Sequence, residues 1–104
     1  MTAGWAPLHL LVIAPVLEEI VWRAGLQEAL LTRTRWPAAA INLGVAASFA
    51  LAHALRAPDS AWAWLTLLPA WVIGRAYQRW RRLGPCIALH AAMNALWLAV
   101  MSPA

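Results

Sequence analysis

The chain has 104 residues, of which 63% are hydrophobic and only 12% are charged, and its formal net charge is +4. A soluble domain of average composition carries about 25% charged residues, so this composition excludes an ordinary soluble domain and favours a membrane protein. The basic residues are all arginines, and they cluster at the ends of apolar runs, as in the loops of membrane proteins. We therefore expect the lipid bilayer as the surroundings and no nucleic acid partner.

Four apolar segments follow one another along the chain, each near the roughly 20 residues that a helix needs to cross the hydrocarbon. They predict helices at about residues 5–31, 38–55, 61–77 and 83–101. No amphipathic surface helix is left over to cover them, which argues against a soluble bundle. The sequence thus predicts one all-α domain over residues 1–104, a polytopic membrane bundle of about four transmembrane helices.

The first segment carries Glu18, Glu19 and Arg23 inside an otherwise apolar run. A charged side chain at mid-membrane costs roughly 2.5–3.5 kcal/mol on insertion scales, so such groups are expected to pair or to face the bundle interior. Glu19 and Arg23 are four residues apart, with the acid first, and therefore lie on one helix face. Glu18 points roughly 100° away from that face, which leaves its carboxyl group free to act as a general acid or base.

Two features of the segments predict local backbone geometry. Pro15 lies inside the first segment and removes a backbone hydrogen bond, so we expect a kink that frees a carbonyl group about one turn earlier. In the second segment, small residues recur at every fourth position, which predicts that another helix packs closely against them. These small residues are Ala40, Gly44, Ser48 and Ala52.

The second and fourth segments add polar side chains at the same spacing of four. Phe49 and His53 share one face of the second segment, and His90 and Asn94 share one face of the fourth. Ionisable groups inside membranes are rare and usually functional. We therefore expect the acid pair, the two histidines and the asparagine to converge from three helices on a common site.

In this order, residues 18–23 match an EExxxR pattern, residues 49–53 match FxxxH and residues 90–94 match HxxxN. The chain thereby resembles the CPBP family of intramembrane proteases, which includes CAAX prenyl endopeptidases of the Rce1 type and bacterial bacteriocin-immunity (Abi) proteins. The stretch "LEEIVWRAGLQEALL" is also similar to short glutamic-type bacterial members linked to C-terminal sorting tags of the JDVT-CTERM kind. The resemblance implies an integral protein of the bacterial inner membrane that hydrolyses a peptide bond in or near the bilayer.

Carried over by position, the resemblance implies four catalytic residues, Glu18, His53, His90 and Asn94. Glu18 would activate the attacking water, and His53 would help to hold it. His90 and Asn94 would stabilise the oxyanion that forms as the carbonyl group is attacked. This glutamate-dependent chemistry needs no cofactor.

The resemblance also implies supporting residues and a substrate. Glu19 and Arg23 would brace the site as a buried pair, and Phe49 would pack one turn below His53. The substrate would be a membrane protein or peptide, with a protein carrying a C-terminal sorting tail as the first candidate. Larger family members have helices before the acid pair, so an oligomer or a partner could complete the substrate channel.

Other interpretations remain open on the sequence alone. Glu18, His53 and His90 would form a His₂Glu set suited to zinc with one open position, as in a zinc-dependent CAAX-type metalloprotease. Polar residues in membranes can also simply hold helices together, as they would in a non-catalytic membrane partner or an immunity protein. A proton-coupled carrier is less favoured because no paired broken helices are visible.

Overall fold

The computed structural model describes residues 5–101, and this part of the chain is an all-α bundle of four helices, which confirms the predicted fold class. Helix α1 covers residues 5–33, α2 covers Ala38–Arg56, α3 covers residues 62–80 and α4 covers Leu83–Met101. Helix α3 consists of Trp62–Leu65 and Leu67–Trp80, which meet at Thr66. Helices α1 and α3 thus run a little beyond the predicted C-terminal ends at residues 31 and 77.

Helix α1 is continuous but contains two π-helical segments. It is α-helical over Trp5–Leu8, Ala14–Glu19 and Glu28–Arg33, and π-helical over His9–Ile13 and Ile20–Gln27. The π-helix is a rare form that is found mostly as short insertions, frequently at functional sites. The two π-helical segments flank the turn that carries the acid pair.

The helix ends follow from local backbone preferences. Thr34 is extended and ends α1, and Pro37 has the fixed φ that suits the residue before α2. Arg81 adopts the left-handed conformation, with φ 52° and ψ 37°, and its N–H donates to the carbonyl group of Tyr77 at 2.7 Å. This left-handed residue closes α3 and turns the chain into α4 after only two residues.

The tightest helix contact lies between α2 and α3. The buried apolar side chains of α2 pack mainly against α3, and they include Ile41, Val45, Ala46, Phe49 and Ala50. A Cβ atom on Gly74 of α3 would lie 1.6 Å from Oδ1 of Asn42, so only glycine permits this approach. The position of the Asn42 amide against α3 therefore depends on the absence of a side chain at residue 74.

The small residues of α2 do not serve this contact, and the prediction that another helix packs on them is wrong within the described chain. Ala40, Gly44 and Ser48 are exposed, and a Cβ atom on Gly44 would meet nothing within 4 Å. The hydroxyl group of Ser48 donates to the carbonyl group of Gly44 in its own helix, at 2.9 Å. The physical reason is that α2 buries the face that carries its larger apolar residues against α3, and the face with the small residues therefore points outward.

Two of the helices meet the length and hydropathy that a membrane crossing requires. They are Ala38–Arg56, with a mean hydropathy of 1.6, and Leu83–Val100, with a mean hydropathy of 1.5. Leucine and tryptophan side chains on several helices are exposed, including Leu55, Leu68, Trp64 and Trp97. Such an apolar outer surface is expected where the surrounding solvent is lipid.

Candidate active site

The adjacent glutamates of α1 lie in different environments. The side chain of Glu19 is fully buried, whereas that of Glu18 is 22% exposed. Oε1 of Glu19 lies 3.3 Å from Nε of Arg23, which is also fully buried, in the predicted i, i+4 ion pair. The two atoms are close enough for an ion pair although they are not aligned as a hydrogen bond.

Each partner of this ion pair also binds another helix. Oε2 of Glu19 accepts a hydrogen bond from Nδ1 of His90 in α4, at 2.7 Å. Nη2 of Arg23 donates to the carbonyl group of Ala70 in α3, at 2.9 Å. A charge-assisted bond of this length belongs to the stronger class of hydrogen bonds. The pair therefore connects α1 to both α3 and α4, and it holds the ring of His90 by one nitrogen.

Two buried amides extend this network along α3. Nε2 of Gln27 donates to the carbonyl group of Gly74 at 3.1 Å, and Nδ2 of Asn42 donates to that of Trp71 at 3.0 Å. Together with Arg23, these side chains bind three carbonyl groups within two turns of α3. We call the four buried residues Glu19, Arg23, Gln27 and Asn42 the polar core.

On the other side of the acid pair, the contacts are looser. Nδ1 of His53 lies 2.9 Å from the carbonyl oxygen of Phe49. Because a carbonyl oxygen only accepts, Nδ1 carries the proton, and Nε2 of the neutral ring is an acceptor. This Nε2 lies 3.9 Å from Oε2 of Glu18. That oxygen atom is buried, although the side chain as a whole is partly exposed, and it has no hydrogen-bond partner among the described residues.

Phe49 separates and orients the two imidazole rings. Its ring centroid lies 4.3 Å from that of His53 in a tilted stack, and 5.9 Å from that of His90 in an edge contact. The indole ring of Trp22 also packs edge-on against Phe49, with the centroids 5.6 Å apart. Such aromatic pairs add stability beyond area burial and restrict ring rotation. The geometry therefore brings residues from α1, α2 and α4 to one place, as the spacing of the motifs predicts.

Asn94 lies one helical turn after His90, and its Nδ2 donates to the carbonyl group of Leu10 in α1, at 2.7 Å. One of its two amide hydrogens is thereby occupied, and the other remains for a further acceptor. Both predicted residues of α4 are thus anchored to α1, one at Leu10 and the other at Glu19.

The donor set suggested for zinc does not assemble as a metal cage. In the part of the chain that the structure describes, no three His, Cys, Asp or Glu side chains lie close enough together to hold a metal ion. His90 engages Nδ1 with Glu19, and His53 engages Nδ1 with a backbone carbonyl group, so these contacts leave Nε2 of each ring free. The structure therefore gathers no three-residue ligand set among the described residues, and we derive no step through a metal.

Fold and site together define a class, a membrane helix bundle that encloses a carboxylate–imidazole centre. A comparison with protein families assigns the chain more closely, because the family model "Type II CAAX prenyl endopeptidase Rce1-like" matches residues 2–96. The chain belongs to this family, which confirms the resemblance seen in the sequence, and it is therefore a membrane-embedded protease in general class. A search of curated proteins found no match, and a search of solved structures found none either.

The structure adds contacts that the sequence did not predict. Gln27 is fully buried in the polar core, and the bond between Glu19 and His90 joins two motifs. The signal for Gln27 is its position four residues after Arg23, on the same stripe as Glu19. In a helix wound with i→i+5 bonds, residues four apart align more closely than in an α-helix. The π-helical winding of Ile20–Gln27 therefore helps to place this stripe on a single face.

Proposed function

We propose that this protein is an intramembrane endopeptidase in which Glu18 and His53 hold and activate the attacking water. The observation that carries the proposal is the buried, unpartnered Oε2 of Glu18 at 3.9 Å from the acceptor Nε2 of His53. Two acceptors cannot bond to each other, but at this separation one water molecule can donate a hydrogen to each. The lone pairs of that water would then face a substrate carbonyl group.

In the proposed reaction, Glu18 takes a proton from the water while the oxygen attacks the carbonyl carbon of the scissile bond. The same proton then passes to the departing amide nitrogen, so the carboxylate serves first as base and then as acid. A positioned general base of this kind contributes typically about 10²–10⁴-fold to the rate. His53 holds its proton on Nδ1, bound to Phe49, and so keeps Nε2 available to the water.

We propose that His90 and Asn94 stabilise the developing oxyanion. His90 is held through Nδ1 by Glu19, which leaves Nε2 to face the substrate, and Asn94 retains a second amide hydrogen. With Nδ1 donating to Glu19, Nε2 donates to the oxyanion in the form of the ring that carries a proton on both nitrogens.

For the substrate, we propose the C-terminal transmembrane tail of a second protein in the bacterial inner membrane. Support comes from the likeness of residues 17–31 to short sorting-system members and from the membership of a family described as prenyl endopeptidases. Both substrate types offer a peptide bond next to a hydrophobic C-terminal anchor. A fusion protein with such a tail and a farnesylated CAAX peptide therefore form the two arms of the assay.

The central test replaces Glu18 by Gln and measures cleavage of both substrates by the purified protein in lipid. We expect a loss of at least about 100-fold, with unchanged membrane accumulation, because Gln keeps the shape of Glu but cannot accept the proton. The matched control is Glu28→Gln, which changes a carboxylate of the same helix outside the site. Full cleavage by the Glu18→Gln variant would refute the proposed role of Glu18.

A second test separates this chemistry from zinc catalysis. Treatment with a strong chelator such as 1,10-phenanthroline should leave cleavage unchanged, because the water is held by a carboxylate and an imidazole. A complete loss that added zinc restores would favour the metalloprotease instead. Absence of cleavage in both substrate arms, together with wild-type function of the His53 and His90 variants in cells, would favour a non-catalytic membrane partner.

A further inference from the structure

The backbone of α1 contains an irregularity at Pro15, a buried residue close to the acid pair. In an α-helix, the N–H of Ala14 would bond to the carbonyl group of Leu10, but here it donates to that of His9. In π-helical winding, the next N–H, that of residue 15, would serve Leu10. Proline has no N–H, so neither backbone donor satisfies the carbonyl group of Leu10.

This carbonyl group is the one that Asn94 binds. Nδ2 of Asn94 donates to it at 2.7 Å, across the contact between α1 and α4. An unpaired carbonyl group in an apolar setting costs free energy. The amide of Asn94 supplies the donor that this carbonyl group needs, and the carbonyl group supplies an acceptor for the amide. Because one amide hydrogen is bound to Leu10, rotation of the amide is restricted, and the direction of its second hydrogen is restricted with it.

We propose that Pro15 is a positioning residue, whose missing N–H leaves the carbonyl group of Leu10 free to orient the amide of Asn94 for the oxyanion. The effect on rate rests on the proposed function, whereas the contact between Leu10 and Asn94 does not. The two parts are therefore tested by separate measurements.

The contact is tested by a double-mutant cycle on unfolding in detergent, with the variants Pro15→Ala and Asn94→Ala and their combination. In the unsubstituted chain, loss of the Asn94 amide should change the unfolding equilibrium constant by about threefold to tenfold. In the Pro15→Ala background, the restored N–H of residue 15 serves Leu10, and the same loss should change the constant by less than about twofold. Equal effects in the two backgrounds would overturn the proposed exchange of donors.

The positioning role is tested by steady-state cleavage of the tail substrate. Pro15→Ala should lower kcat by about tenfold with little change in KM, although the variant gains a backbone hydrogen bond and should be no less stable. If Pro15 affects stability alone, the variant should have the same stability outcome but a normal kcat. Pro15→Ser also supplies the N–H and gives a second measurement if the alanine variant accumulates poorly.

Pro85→Ala is the matched control, because Pro85 lies in the first turn of α4, where a missing N–H leaves no carbonyl group free. This control should keep both kcat and KM. An unchanged kcat in both Pro15 variants would overturn the positioning role. If the unsubstituted protein cleaves neither substrate, the proposed function fails, whereas the double-mutant cycle still decides whether Pro15 governs the contact of Asn94.

Discussion

The polar core and the surroundings of Glu18 differ in how their polar side chains are bound to neighbouring helices. In the polar core, Arg23, Gln27 and Asn42 each bind a carbonyl group of α3, and Glu19 binds both Arg23 and His90. Glu18, one residue away from Glu19, keeps a buried oxygen without a protein partner among the described residues and 22% of its side chain exposed. Each polar-core residue has at least one bond to another helix or to its ion-pair partner, although the core also keeps buried atoms without a hydrogen-bond partner among the described residues. Glu18 differs because its free acceptor belongs to a side chain that is partly exposed and that binds no neighbouring helix among the described residues.

The comparison predicts that substitutions in the polar core reduce stability, whereas those at Glu18 and His53 reduce cleavage. The largest effect should come from Arg23→Ala, which leaves the carboxylate of Glu19 buried without its guanidinium partner. Removal of one member of a buried ion pair costs about 3–5 kcal/mol. The measurement is the free energy of unfolding in detergent, with the exposed Arg56→Ala as control. Stability equal to that of the control would show that the pair is not part of the rigid region.

A smaller loss is expected from Gly74→Ala, which tests the approach of α3 to the polar core. The new Cβ atom would lie 1.6 Å from Oδ1 of Asn42, so the amide must move and its bond to the carbonyl group of Trp71 is disturbed. Overpacking of this kind costs about 1–3 kcal/mol. The matched control is Gly44→Ala, whose Cβ atom meets nothing within 4 Å and which should leave stability equal or higher by up to about 1 kcal/mol. Thermal unfolding of both variants in the same lipid would be compared, and similar losses would contradict the assignment.

The two histidines offer a sharper test of the same contrast. His90→Gln removes the partner of a buried carboxylate oxygen and should cost about 1–3 kcal/mol, whereas His53→Gln gives up a local backbone contact and should cost less than about 1 kcal/mol. Both variants should lose cleavage. The free energy of unfolding and the rate of cleavage are measured on the same preparations. A stability loss at His53 as large as that at His90 would remove the distinction between the two regions.

The smallest effect should come from the exposed pair at the end of the bundle. Arg81 donates to both carboxylate oxygens of Glu28, at 2.6 Å for Oε1, and this carboxylate raises the pKa of Arg81 above its ordinary value. The side chains of Glu28 and Arg81 are 34% and 43% exposed, so water and salt screen the attraction. We expect Glu28→Gln to cost less than about 1 kcal/mol and the cost to shrink further at high salt. A loss comparable to that of Arg23→Ala would show that the bundle end is as rigid as the polar core.

The helical fold was predictable because its signal is local. Apolar runs of nearly the required length are visible in the sequence, and residue spacing alone paired Glu19 with Arg23 on one face. The face that α2 turns inward was not predictable in the same way. Small residues at spacing four gave a plausible interface, but the larger apolar side chains next to them determine the packing. Which face of a helix becomes buried depends on the side chains of the partner helix, and the sequence of a single segment does not contain that information.

The sequence by itself determined the helices, the apolar surroundings, the family motifs and the separation of Glu18 from the face of Glu19 and Arg23. These properties depend on composition and on the angle per residue, which act within one segment. Only the tertiary structure decided that His90 binds Glu19, that His53 faces Glu18 and that Asn94 binds the carbonyl group left free by Pro15. Such pairings join residues as far as 84 positions apart in the chain, and they depend on how the helices rotate and approach one another to satisfy buried polar groups.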